Sequence, residues 1–353
     1  MKANVFVYAM LVFSFSTWAQ SDFRIETTTQ KYYTLAHKKN IDLQDCRDHI
    51  REVMCLVDPI PNNEHVDPLN RPCLDGGINY AKFYEELFDH YPASLQKMFC
   101  SLQRIFVEKD FFGSAYAGLL KNAQDEIIGA QMGIRKSLLD EEMTLSKWAT
   151  WKEQLSFGGN PANYETKIEL PQVYTKNSFS KVNDFLYFVT AHEFGHIFDF
   201  SNQLNKIENC SPETPENTDP ECEITSDSFG AIGWKTTKLP HLENHFFHFE
   251  DLCFYWCTSS VPMDDAVEIY NSFFDTSFIS LYSSTQAWDD LAETLAYTLL
   301  FEQLKASYTI SVTDPVTTLK YFWDIKKKFE SPVLAEKKLY LKRFFLRENI
   351  IYP

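Results

Sequence analysis

The chain lacks several things, and each absence narrows what it can be. It has no excess of positive charge: 33 Lys and Arg stand against 49 Asp and Glu, a formal net charge of -16. A surface of that sign repels phosphate backbones and anionic headgroups, so no nucleic acid is expected among its partners. No CxxC pair occurs among the eight cysteines, which argues against a thiolate zinc site. No basic stop-transfer cluster follows the apolar start, so stable membrane insertion is not expected. No internal repeat is evident, and the amine-binding GAMEN motif of zinc aminopeptidases is missing.

What is present points to an exported globular protein. Apolar residues make up 44% and aromatics 16% of 353 residues, enough for a sizeable core. Residues 1–19, MKANVFVYAMLVFSFSTWA, combine an early lysine, an apolar core and a small residue at Ala19. That pattern predicts a cleaved signal peptide and a secreted or periplasmic location. Behind such a signal, cysteines at 46, 55, 73, 100, 210, 222, 253 and 257 read as a disulfide set. Locality pairs Cys210 with Cys222 around the acidic loop SPETPENTDPE and leaves the four N-terminal cysteines to pair among themselves. Cys253 and Cys257, at helical spacing, are expected to seek other partners.

The predicted fold class is α+β and mostly helical, with a small mixed sheet. Residues 20–101 form a cysteine-containing helical region, with helices near 42–56 and 79–101 around the loop 57–77. Residues 102–353 form the larger domain, with a disulfide-loop insertion at about 205–225. RIFVEKDFF, SAYAGLL and EIIGAQMGIRKSLL are strand-like, and the turn KNAQDE between the last two marks a hairpin. The last of these strands is expected at the sheet edge, from Ala130 to Lys136. Helices are expected at 145–159 and 181–204, the latter capped by Ser180 or Asn183, and at 285–305. The stretch 223–280 reads as mostly helical, and 317–349 as a basic helix with a solvated face.

Two segments carry chemistry. In TAHEFGHIFDF, His192 and His196 lie one turn apart on one helix face, where two imidazoles can bind one metal ion. Glu193, between them in sequence, projects beside the ion as a general base. A third ligand must come from elsewhere, and LYSSTQAWDDLAETLAY supplies Asp289 and Glu293, four apart on a second helix. One carboxylate would bind the ion while the other holds an imidazole N–H. Ala292 and Ala296 on the same face are small enough for close helix approach. The competing reading makes Asp289, Asp290 and Glu293 ordinary first-turn acids favoured by the helix dipole. His241, His245 and His248 are read as surface or partly buried histidines rather than a second metal site. Trp151, Lys152 and Glu153 could line the cleft but are given a packing role, and Asp199 a helix-stabilising one.

HEFGH, then Tyr282, six residues (SSTQAW) and Asp289-Asp290-Leu291-Ala292-Glu293 resemble the catalytic domain of the anthrax lethal factor family. These are zincin metallopeptidases of the gluzincin type. The resemblance covers roughly 185–300 and implies a zincin-like domain with an active-site helix and Zn2+ as cofactor. It implies an endopeptidase acting on peptide or protein substrates. By the family's motif His192, His196 and Asp289 would be ligands, Glu193 the base, Glu293 the support and Tyr282 the oxyanion donor. The family has Glu where this chain has Asp289, shorter by one methylene, so the second helix would have to sit closer; Glu293 remains the alternative third ligand. The long spacing between His196 and the acid pair is a second departure. A catalytically inactive zincin-fold binding or adhesion protein is the alternative function.

Overall fold

The computed structural model describes residues 23–24, 41–59, 70–124, 126–141, 143–157, 164–171, 181–212, 221–255, 261–314, 317–347, 350 and 352. The expected signal peptide, the cap at Ser180 and Cys257 lie outside the described residues, while Asn183, the other expected cap, falls inside the helix Lys181–Asn202 rather than before it. In order the elements are β1 (Phe23–Arg24), α1 (Leu43–Val53), β2 (Met54–Val57), α2 (Ala81–Phe88), α3 (Ala93–Phe99), β3 (Leu102–Glu108), β4 (Ala115–Lys121) and β5 (Ile127–Arg135). Then come α4 (Lys136–Asp140), α5 (Leu145–Leu155), β6 (Tyr164–Glu169), α6 (Lys181–Asn202), β7 (Ile207–Glu208) and β8 (Glu223–Ile224). The chain continues with α7 (Ala266–Phe273), α8 (Ala287–Thr298), β9 (Ser307–Thr313), β10 (Lys320–Asp324), α9 (Ile325–Glu330) and α10 (Ala335–Phe345). The architecture is α+β, with a small mixed sheet as expected.

That sheet has five strands in the order β1-β4-β5-β3-β2. The hairpin β4–β5 is antiparallel and every other pair is parallel. The expected edge strand is therefore corrected: β5 lies between β4 and β3, and β4 is the outer strand over most of its length. The reason is in β5 itself, whose residues Gly129–Ile134 are buried on both faces. At Gly133 a Cβ would lie 2.3 Å from the ring of Tyr116, which crosses the strand there. β1 pairs with β4 only at Leu120 and Lys121. No described strand pairs with the outer edge from Ala115 to Leu119.

The helix α6 is the centre of the molecule, and from Phe185 to Asp199 every residue is buried. A helix apolar nearly all round must be covered on all sides. Tyr91 of the α2–α3 turn stacks on Tyr187 at 4.4 Å, and Phe99 meets Phe194 edge-on at 5.0 Å. On another side Phe188 meets Tyr297 of α8 at 5.0 Å. α6 and α8 approach closely, and a Cβ on Gly195 would stand 2.6 Å from Ala292 Cα. These helices touch backbone to backbone. The expectation of small residues at this crossing holds for Ala292.

The disulfide Cys210–Cys222 is the one that locality suggested, and the four N-terminal cysteines pair among themselves as expected, as Cys46–Cys100 and Cys55–Cys73, a connectivity that spacing left open. Cys253 is also disulfide-bonded, but to none of the other six described cysteines, which are paired among themselves, so the expectation that it seeks a partner among them is not met. Two further expectations are overturned. Among its described residues the stretch 223–280 holds one α-helix, α7, with the short strand β8 and 3-10 turns. The C-terminal part is not one helix: β10 joins β9 and β6 in a three-stranded antiparallel sheet before α9 and α10 begin. Nor is its basic face wholly solvated. Lys337 is buried in an ion pair with Asp290, and Lys328 donates to the carbonyls of Phe273, Phe274 and Thr276 at 2.9, 3.0 and 2.9 Å.

Candidate metal centre

Where α6 crosses α8, three donor atoms converge. His192 Nε2 and His196 Nε2 are 3.1 Å apart, and Asp289 Oδ1 lies 3.6 Å from the first and 3.5 Å from the second. The helical step of four brings the imidazoles together, and the Gly195–Ala292 contact brings α8 within reach of a short aspartate. A tetrahedral ion with ligand bonds of about 2.1 Å holds its donors about 3.4 Å apart. The triangle fits such an ion on all three sides. All three residues are buried, and among the described residues they form a group able to hold a metal.

The two carboxylates on α8 are set apart by their partners. Asp289 Oδ2 accepts from Gln286 Nε2 at 2.6 Å and Thr285 Oγ1 at 3.3 Å, which turns Oδ1 toward both imidazoles. Glu293 faces the other side of His192: its Oε1 is 3.1 Å from Nδ1, off the line of a well-aligned hydrogen bond. Its oxygens also accept from Lys152 Nζ, each at 3.1 Å, and Oε2 accepts from Ser280 Oγ at 2.6 Å. So the acid that points at the donor triangle is Asp289, and Glu293 backs His192.

The charged groups at the crossing interact strongly. Burial lowers the His192 imidazole, but Asp289 and Glu293 outweigh it and carry it up to about 10. Asp289 goes far below the usual carboxylate range, because contacts with His192 and His196 overcome the burial that would raise it. Burial likewise raises Glu293, and Lys152 together with His192 pulls it down to about 2. Glu193 is raised by burial against the lowering by both histidines. Without an ion the raised His192 supplies part of the positive charge that Glu193, Asp289 and Glu293 need beside Lys152; a metal bound to the neutral imidazoles would take that part over.

The donors lie in a cavity of ≈ 500 Å3. Glu193 and Tyr282 line it, and so does the chain from Phe111 to Ala117, including the open start of β4. The Tyr282 ring is 5.9 Å from that of His192 and sits against Phe254 and Tyr255 at 5.1 and 5.7 Å. Every site residue read from the sequence is thus gathered at this cavity. Sequence reasoning passed over Ser280, Thr285 and Gln286, and gave Lys152, which lines the cavity, a packing role. Thr285 and Gln286 lie inside the Tyr282–Asp289 spacer, where two polar side chains just before a helix were a usable signal.

The remaining candidates lie elsewhere. His248 bonds Asp251 through Nδ1 at 2.7 Å and Asp265 through Nε2 at 3.0 Å, so its nitrogens face opposite ways. His241 bonds the carbonyl of Ala231. Asp199 accepts from the backbone and side chain of Asn205 at 2.7 and 2.6 Å, closing the end of α6. Comparison of the chain with protein-family models, curated proteins and solved structures finds no match.

Proposed function

We propose that the protein is an exported zinc-dependent endopeptidase of zincin type, with His192, His196 and Asp289 as ligands. The observation that carries this reading is the donor triangle at the floor of an open cavity, with Glu193 on the same helix. Nitrogen and carboxylate donors on a closed three-residue face suit zinc with a position left for substrate. When bound, the ion polarises the scissile carbonyl and makes water acidic enough to be deprotonated near neutral pH.

Glu193 takes the proton of the attacking water and passes it to the leaving amine. A carboxyl raised by burial is suited to both halves of that task. Tyr282 donates its hydroxyl to the oxygen on which negative charge develops. Glu293 stands 3.1 Å from the outer nitrogen of His192, where its charge favours the orientation that turns Nε2 inward. An extended peptide pairs with the open edge of β4 from Ala115, which lies along the cavity wall.

The test incubates the oxidised full chain with a mixed peptide library. Cleavage that a chelator stops, that zinc restores and that Glu193→Gln abolishes is the expected result. Undiminished cleavage by Glu193→Gln refutes the mechanism. Zinc bound without any cleavage by the wild type would instead make the chain a binding protein on this fold.

A further inference from the structure

Lys152 stands apart in sequence from every residue of the metal motif, 141 positions from Glu293. It belongs to α5, whose start is fixed by Thr144 accepting from Lys147 N at 3.3 Å. The helix drives this lysine inward until its side chain is 2% exposed. Burying an ammonium is costly unless its hydrogen bonds and its charge are both answered. Here Nζ reaches both oxygens of Glu293 at 3.1 Å, while the Trp148 and Tyr282 ring centroids lie 4.6 and 4.8 Å away. One ammonium therefore touches the acid behind His192 and the tyrosine in front of it.

We propose that Lys152 is a positioning residue of the metal centre: it pins the Glu293 carboxylate against His192 and keeps it away from the donor triangle. The reasoning is geometric. Asp289 and Glu293 share one face of α8, and either chain is long enough to be recruited as an oxygen ligand. Glu293 is held back because each of its oxygens is bonded to Lys152, with Ser280 on one and His192 near the other. Remove Lys152 and only the Ser280 bond fixes the carboxylate, which is then free to turn about its last torsion. His192 loses the partner that orients its ring. The choice between two acids is thus made from α5, outside the motif that carries the ligands.

This inference rests on the metal reading above, and the test separates the two. Zinc dissociation constants are measured by competition with a chromophoric chelator for wild type, Lys152→Met, Glu293→Gln and the double variant. Thermal midpoints of the metal-free forms are recorded alongside. Lys152→Met is expected to weaken zinc binding at least tenfold, the usual scale for removing support behind an imidazole ligand. In the double variant, Lys152→Met should add nothing to the loss already caused by Glu293→Gln. An unchanged constant for Lys152→Met overturns the proposal, and so does a double loss equal to the product of the single losses. If Lys152→Met does not fold, the pair Glu293→Gln and Lys152→Met/Glu293→Gln decides: equal affinities support the proposal, a further tenfold loss overturns it. Absence of zinc binding by the wild type overturns the metal reading, and this inference with it.

Discussion

Gly195 is the residue at which a single methyl group should undo the centre. It stands between the two histidines in sequence, but its importance lies in the crossing of α6 and α8. A Cβ there would lie 2.6 Å from Ala292 Cα and 3.1 Å from Ala292 Cβ. Ordinary carbon contacts are about 3.5–4.0 Å, so the helices must part by about 1 Å in Gly195→Ala. The obstacle is backbone, which cannot swing aside. Overpacking of this kind costs about 1–3 kcal/mol of stability. Asp289 lies one turn before Ala292 and would be carried off with it, from a position now 3.5–3.6 Å from the two imidazole nitrogens. Disturbed support of a ligand typically costs metal sites about 10–100-fold in affinity, and zinc affinity should fall on that scale. Asp289→Glu adds one methylene, about 1.5 Å of reach. It should therefore strengthen zinc binding in the Gly195→Ala background and weaken it in the wild type. Isothermal titration of the four proteins gives the answer. Wild-type affinity in Gly195→Ala, or an Asp289→Glu effect of the same sign in both backgrounds, would refute the reasoning.

Other outcomes follow from single contacts. Tyr282→Phe should lower kcat by about 10²–10³ with little change in KM, because the hydroxyl acts only on developing charge; an unchanged kcat would remove it from the mechanism. Lys337→Met strands Asp290 in the interior and should cost about 3–5 kcal/mol by chemical denaturation. Adding Asp290→Asn should recover much of that loss, and a purely additive result would contradict it. Burial pushes the Asp184 carboxyl up to about 6, against bonds from the Leu145 and Phe185 amides that lower it. A raised carboxyl stabilises the fold below its unfolded value near 4 and loses that contribution as pH rises to 6. Metal-free wild type should therefore lose stability relative to Asp184→Asn between pH 4 and 6. A constant difference across that range would show that Asp184 does not titrate as stated.

The two helices that form the centre were legible because their evidence is local. The stripe of Phe185, Phe188, His192 and His196 sets the helical period, and Ala292 marks where a neighbour can approach. The three-stranded sheet was not legible, since β6 and β9 are held by partners far along the chain. The edge strand was misplaced for a related reason: alternation marks a strand, but only its neighbours decide whether it is outer or inner. Gly129 and Gly133 in β5 held the clue, because a side chain crosses each of them from a neighbouring strand. Spacing alone could not choose between Asp289 and Glu293, which share a helix face. Their partners distinguish them, and the sequence could mark Lys152 only as a residue near the cleft, because α5 meets Glu293 only in three dimensions.

The central claim is that His192, His196 and Asp289 hold one metal ion while Glu293 stands behind. Zinc stoichiometry and affinity of the wild type, Asp289→Ala and Glu293→Gln, measured together by isothermal titration, test it most directly. One ion per chain is expected in the wild type, with binding lost or weakened by orders of magnitude in Asp289→Ala and retained, about 10–100-fold weaker, in Glu293→Gln. A wild type without zinc, or zinc kept by Asp289→Ala and lost by Glu293→Gln, would contradict the account.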